Sequence, residues 1–257
     1  MLSCERLQTM ILETIKIYSQ NIYKNNLLIN IILENHLFFD IIFIQELSWN
    51  IIWFIPSSAN SEGEILVGVP NHPNWSTFAR NPSSPNDSLR VLTYINICLA
   101  SLCFSLWDDI FSHRDISCIS FFNCGSIFFL LNVYSDSSHT ALKYLEDTKV
   151  NINNILIMTR DFNIRDNFWN PNFPYHSYHK DTLFEIADSL GLEISKPIEN
   201  VPTRYSDNPQ ETDSIIDLVF LRPNSSKLDN HHIHLNWRLL FGYTPISVDI
   251  PILEEHI

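Results

Sequence analysis

The sequence predicts an α/β protein with two packed sheet layers at its core and helices outside. Three observations carry this. Apolar runs of strand length outnumber helical ones, roughly ten strands to three helices by hydrophobic pattern. Val, Ile, Phe and Tyr are frequent, and these residues favour strands. Several runs stop at a carboxylate, amide or phenol, and open α/β sheets bind ligands beyond the carboxyl ends of their strands. The 257 residues, 45% hydrophobic and 12% aromatic, suffice for a sizeable core and exclude global disorder. With only five Gly, the turns rest on Asn, Asp, Ser and thirteen Pro.

Residues 13–21 alternate and read as a strand ending in Ser19-Gln20-Asn21. Residues 26–36 read as a helix. The short apolar run Phe38 to Ile44 reads as a buried strand ending in Gln45-Glu46. Residues 50–55 and 64–69 add strands, and Pro70 to Asn86, with four prolines, reads as a surface loop. Residues 90–105 and 115–123 are strand-like. Gly125 to Tyr134 is a further strand, followed by a helix from His139 to Val150. The run Asn154 to Arg160 leads into Asp161-Phe162-Asn163. Phe168 to Lys180 reads as an aromatic loop and Asp181 to Gly191 as a helix closed by its glycine. A short strand at 192–194, a polar loop at 201–214, and strands at 215–221, 237–240 and 247–250 complete the chain. No boundary divides it, so one domain of residues 1–257 is expected, its core spanning about 13–252.

The net charge of −13 argues against holding nucleic acid by a general basic surface. It suits a cation site, or local contact with an anionic substrate. Five cysteines, an odd number without any Cys-x-x-Cys, read as free thiols in a reducing compartment. The N-terminus lacks the basic-then-apolar plan of a signal peptide. Leu27 to Ile44, the most apolar stretch, is interrupted by Asn30, Glu34, Asn35, His36 and Asp40, so no membrane span is expected. These features place the protein inside the cell, in cytoplasm or nucleus.

The strand ends hold the candidate chemistry. Asn21 and Glu46 follow the first two strands, Tyr134 and Asp136 follow the Gly125 strand, and Asp161 and Asn163 follow the next. Asp217 lies in the middle of Ile215 to Leu221, where a carboxylate is costly to bury without a partner. In extended backbone Asp161 and Asn163 share one face; alternatively Asp-x-Asn is simply a turn. The set is rich in oxygen, as Mg²⁺ or Mn²⁺ prefers, and poor in the Cys and His of a zinc site.

Six stretches, in order, carry a family resemblance: Ser19 to Asn21, Asp40 to Glu46, Asn132 to Asp136, Asp161 to Asp166, Pro202 to Ser206 and Ser214 to Leu218. Together they resemble the endonuclease/exonuclease/phosphatase superfamily, and within it the endonuclease domain of non-LTR (LINE-like) retrotransposons. The resemblance implies a four-layer α/β sandwich of the DNase I type, two mixed sheets flanked by helices. It implies Mg²⁺-dependent (or Mn²⁺-dependent) nicking of DNA. By resemblance Glu46 ligates the cation with help from Asn21. Asp161 activates the attacking water, Asn163 holds the scissile phosphate and Tyr134 hydrogen-bonds a phosphate oxygen. Asp217 orients a catalytic His, with Thr203 and Ser214 supporting the site. DNA is the implied partner, held weakly at this net charge. The reverse transcriptase that normally follows such a domain is absent from this sequence.

Two departures follow. The family's Ser-Asp-His-x-Pro segment corresponds to Phe241 to Pro245, with Gly242 at the Asp position and Tyr243 at the His position. A phenol of pKa about 10 cannot do the work of an imidazole poised near 7. Arg160 stands where the family has the Gly preceding Asp-x-Asn. An impaired or inactive endonuclease is therefore expected, a pseudoenzyme, which Gly242→Asp with Tyr243→His, alone or together with Arg160→Gly, would repair. The alternative is a non-catalytic acidic interaction module on the same fold. His231, His232 and His234 read as a polar loop, and His113, His176 and His179 show no carboxylate partner in sequence.

Overall fold

The computed structural model describes residues 14–35, 37–47, 53–56, 65–80, 88–123, 125–149, 152–171, 173–195, 201–206, 208, 210–223, 231–234 and 242–251. One six-stranded sheet contains β1 (Thr14–Asn21), β2 (Ile41–Gln45), β5 (Trp75–Phe78), β6 (Val91–Asn96), β13 (His231–Ile233) and β14 (Ile246–Pro251), in the order β13-β14-β1-β2-β6-β5. The other contains β7 (Ser105–Leu106), β8 (Ile116–Asn123), β9 (Ser126–Val133), β10 (Ile155–Asp161), β11 (Glu193–Ser195) and β12 (Asp217–Leu221), in the order β11-β12-β10-β9-β8-β7. A separate hairpin pairs β3 (Trp53–Pro56) with β4 (Ile65–Gly68). The helices are α1 (Asn26–Leu33), α2 (Thr140–Thr148) and α3 (Tyr178–Ser189).

Three apolar clusters bind four layers together. Ile17, Phe43 and Val248 of the first sheet meet Phe121, Ile157 and Val219 of the second. This inner cluster explains why the central strands read as unbroken apolar runs: both of their faces are covered. Leu28, Ile29 and Ile32 of α1 cover the outer face of the first sheet. Leu142 of α2 and Leu183 and Ile186 of α3 cover the outer face of the second. The expected α/β sandwich of two mixed sheets flanked by helices is thus the observed one.

Strand direction gathers the site at one rim. β1 and β2 are parallel, as are β9 and β10, so Asn21, Glu46, Tyr134 and Asp161 lie at or just beyond carboxyl ends. β12 runs antiparallel to β10 and β14 antiparallel to β1, so their starts reach the same rim. Asp217 is therefore the first residue of β12, not its middle. Residues 215 and 216 stay outside the ladder because the backbone N–H of Ile216 is taken by Thr203 Oγ1 at 3.1 Å.

Other elements depart from the pattern. The stretch 90–105 divides into β6, a 3-10 helix (Ile97–Leu102) and β7. The break comes at Asn96, whose side chain accepts from the Cys98 N–H at 3.1 Å. The loop expected from Pro70 to Asn86 contains β5, because Trp75 is buried against the α1 layer. The His231 segment is a strand rather than a polar loop, paired to β14. Helix α3 starts at Tyr178, earlier than expected, and the chain turns at Gly191 with φ +68°. The strand expected at 237–240 lies outside the described residues, as do Cys4 and Cys124. Cys103 and Cys118 are free thiols. Among the described residues no helix is long and apolar enough to cross a membrane.

Candidate active site

Asn21 joins the two sheets at the rim. Its Nδ2 donates to Asp161 Oδ2 at 2.8 Å, and its Oδ1 accepts from the Tyr23 N–H at 2.8 Å. It also hydrogen-bonds Glu46. Burial raises the Glu46 pKa above its ordinary 4.5, opposed by the Asn21 bond and by the charges of Lys24 and Arg90. Glu46 takes φ +54°, a left-handed conformation costly for a residue with a side chain. Its carbonyl accepts from the Lys24 N–H at 2.9 Å, which helps hold that turn.

Asp161 accepts a second bond, from the Asn163 N–H to Oδ1 at 2.9 Å, and its own carbonyl accepts from the Ser135 N–H at 2.7 Å. Asn163 has φ +53° and is exposed. The two residues therefore do not share one face of an extended strand. Asp161 bends the chain in an Asx turn, and the same carboxylate faces Asn21. Asp217 stands directly opposite Asp161 in the β10–β12 register, so two buried carboxylates are cross-strand neighbours. Thr203 Oγ1 accepts from the Asp217 N–H at 3.1 Å as well as from Ile216. Ser214 contributes through its backbone, exchanging N–H···O bonds with Arg204 at 2.9 Å in each direction.

The Tyr134 ring packs under the Arg90 guanidinium, 4.9 Å from its centroid. Burial, then the charges of Glu46 and Asp161, push its phenol well above the usual value. Arg90 itself forms a bidentate ion pair with buried Asp115 and reaches Asp136 at 3.0 Å. Against the upward push of burial, the Arg90 bond and charge hold the Asp136 carboxyl below its usual value. Asp136 is thus occupied by a structural arginine. Neither Arg90 nor Asp115 stood out in the sequence, because each precedes a strand with no pattern marking it.

Tyr243 enters the same site. Its phenol is pushed far up by burial, then by the charges of Asp161, Glu46 and Asp217, with Arg204 opposing. Its ring stacks on Tyr23, centroids 6.0 Å apart at 29°. The loop that carries it is bonded through backbone: Tyr205 N–H to the Gly242 carbonyl at 2.6 Å, and Thr244 N–H to the Thr203 carbonyl at 2.8 Å. Gly242 has φ +77°, and a Cβ there would lie 2.7 Å from the Tyr205 carbonyl oxygen. Gly242→Asp would therefore displace the loop, so the two-residue repair suggested by sequence reduces to Tyr243→His alone. Arg160 pairs through its backbone with Leu218; its side chain lies outside those described.

Three histidines need correction or addition. His113 has a carboxylate partner, Asp115 at 3.8 Å. His176 does have carboxylate partners, Asp166 at 3.0 Å and Asp181 at 2.9 Å. They come from one loop and one helix turn, which local sequence alone did not bring together. His139, not singled out before, contacts Ser135 Oγ at 3.1 Å and hydrogen-bonds the Phe162 backbone. Its ring lies 4.0 Å from that of His179. Burial, then the neighbouring His179, lowers its pKa.

Residues 128–238 match the family described as endonuclease-reverse transcriptase. The match spans Tyr134, Asp161, Asn163, Thr203, Ser214 and Asp217. The fold is similar over 92% of this chain and 98% of the endonuclease domain of TRAS1, a telomere-specific non-LTR retrotransposon (14% identity, TM-score 0.61). The fold is that of the endonuclease/exonuclease/phosphatase proteins. It is also similar to AP endonuclease LMAP from Leishmania major, at 10% identity and TM-score 0.64, covering 93% of this chain and 88% of that one. It is similar to D. rerio TDP2 complexed with single strand DNA product, at 12% identity and TM-score 0.50, covering 92% and 98%. At these identities the neighbours show the fold of the endonuclease/exonuclease/phosphatase domain and nothing finer. No curated protein sequence matches the chain.

Proposed function

We propose that this domain binds a divalent cation and a DNA phosphodiester at the Asn21–Glu46–Asp161 rim, and that its hydrolysis is weak or lost. The observation that carries the reading is the Tyr243 phenol placed among Glu46, Asp161 and Asp217, where the resemblance calls for an imidazole. Burial already disfavours ionisation of that phenol, and three carboxylates disfavour it further. It cannot take a proton from water at neutral pH, nor carry positive charge beside a phosphoryl group.

The donors suit Mg²⁺ or Mn²⁺. They are oxygens, and Asn21 hydrogen-bonds both the Glu46 and the Asp161 side chains, which brings two carboxylates to one amide. Among the described residues no group of three or more His, Cys, Asp or Glu forms a preformed cage. A cation here would be held by one or two carboxylates plus water and phosphate oxygens. Glu46 would hold it, with Asn21 fixing the carboxylate. When bound, the cation would neutralise charge developing on phosphoryl oxygens. Asp161, oriented by Asn21 and the Asn163 N–H, would accept a proton from the attacking water. Tyr134 would donate to a phosphate oxygen, and Asn163 would contact the phosphate. Asp217, with Thr203 and Ser214 fixing its strand start, would orient an imidazole at position 243. One neighbour of this fold, TDP2 with its single strand DNA product, supports DNA as the ligand.

The test is relaxation of supercoiled plasmid with Mg²⁺. The native chain should nick slowly or not at all, and Tyr243→His should raise the rate at least about tenfold, since losing such a residue costs about 10³-fold. Adding Glu46→Ala should abolish the gain. A native chain that cuts as fast as Tyr243→His sinks the proposal of lost hydrolysis.

A further inference from the structure

We propose that Tyr23, stacked on Tyr243, is a platform for an unpaired nucleobase of the nucleic acid whose phosphate the rim receives. Tyr23 is 58% exposed although its ring is in contact with Tyr243. The turn that presents it is built at a cost. Tyr23 and Lys24 have φ +45° and +60°, two successive left-handed residues, neither of them glycine. Three hydrogen bonds fix the turn: Tyr23 N–H to Asn21 Oδ1 at 2.8 Å, Lys24 N–H to the Glu46 carbonyl at 2.9 Å, and Asn25 N–H to the Ile22 carbonyl at 2.8 Å. The ring is therefore tied to the same two residues that would hold the cation. Strain kept at such a place points to a task for the residue it presents.

The chemistry fits a base. Every base has a π face, and stacking on an aromatic side chain needs that face out of its duplex. Lys24 is exposed beside the ring and offers a charge to a neighbouring phosphate. The chain carries a net charge of −13, which disfavours general adhesion to a polyanion. General electrostatic adhesion cannot supply affinity here, so a stacking contact has to. Tyr243 acts as the buttress: its ring face supports Tyr23, and its loop is fixed by the backbone bonds of Tyr205 and Thr244. The proposal rests on the phosphodiester reading for the identity of the ligand, but it requires no cation.

The full chain is titrated at low salt in EDTA with a fluorescent single-stranded thymidine oligomer, and with an abasic deoxyribose-phosphate chain of equal length. The native chain should bind the base-bearing strand about tenfold more tightly, the order of one stacked base. Tyr23→Asn, a residue that tolerates a left-handed φ, should lose that preference with an unchanged melting midpoint. Tyr23→Trp should keep it. Equal binding of the two strands by the native chain, or none, overturns the platform, as does a preference that survives Tyr23→Asn. Tyr23→Asn that only dissolves a dimer overturns it too. Calorimetry with Mn²⁺ on the native chain and Glu46→Gln reads the cation site separately. A base preference without Mn²⁺ binding supports the platform and sinks the cation site.

Discussion

Asp161 and Asp217 are placed by strand register, whereas Gly242 and Tyr243 are placed by a loop laid against residues 203–205. The first pair faces each other across a ladder that the inner core holds in place. A one-residue slip would turn every side chain of β12 to the wrong face, so packing keeps the carboxylates at the rim. The loop is held by backbone bonds from Tyr205 and Thr244. Such bonds constrain φ and ψ at Gly242 but not the side chain at 243. The side chain at position 243 can therefore vary without disturbing the fold, while register holds the carboxylates at the rim.

This contrast can be broken at its anchors. The largest effect is expected at Arg90, the cation that ties Asp115 and Asp136 behind Tyr134. Arg90→Ala leaves the buried Asp115 carboxylate without its bidentate partner and should cost about 3–5 kcal/mol in urea unfolding. If the cost is under about 1 kcal/mol, the rim does not depend on it. Acid should reveal the next effect. Burial lowers the His231 pKa from 6.5 to about 4, partly offset by the Ser195 backbone. The unfolded chain takes up a proton first as pH falls. The stability contributed by the neutral ring is complete above pH 6.5 and is lost between 6.5 and about 4. The loss amounts to about 3 kcal/mol at most. His113 and His139, lowered chiefly by burial, act in the same direction. His231→Leu should flatten the melting-temperature profile across that window, and an unchanged slope would contradict the assignment.

Gly242→Ala tests the loop half of the comparison. The added Cβ meets the Tyr205 carbonyl oxygen at 2.7 Å and is strained at φ +77°, so about 2 kcal/mol should be lost. The smallest effect is expected at the facing carboxylates. Asp217→Asn removes one of two like charges directly opposed across the ladder. It should stabilise the metal-free chain by up to about 1 kcal/mol, measured by thermal unfolding in EDTA. A destabilised Asp217→Asn would mean that the carboxylate is worth more to the fold than the repulsion costs.

Much of the site was legible because its residues end apolar runs. Asn21, Glu46, Tyr134 and Asp161 each follow a strand that alternation or apolarity marks, and six short stretches in order supplied the family. Arg90, Asp115 and His139 escaped because their partners are remote in sequence or lie in loops without period. Asn163 misled for a local reason: the Asp161 carboxylate accepts its backbone N–H and turns the chain, so strand alternation stops there. β13 escaped because three histidines near an aspartate look solvated, although His231 is 2% exposed once β14 pairs with it.

The sequence by itself determined the layers and the oxygen-rich set at the strand ends, and it put Gly242 and Tyr243 where the resemblance expects Asp and His. Hydrophobic period and side-chain chemistry are local properties, and they need no knowledge of what lies across the fold. Only the tertiary structure decided that Asp217 opens its strand opposite Asp161, that Tyr243 lies within reach of the charges of Asp161, Glu46 and Asp217, and that Tyr23 stacks upon it. Those facts depend on strand direction, register and the φ angles of two tight turns, which are set where distant segments meet.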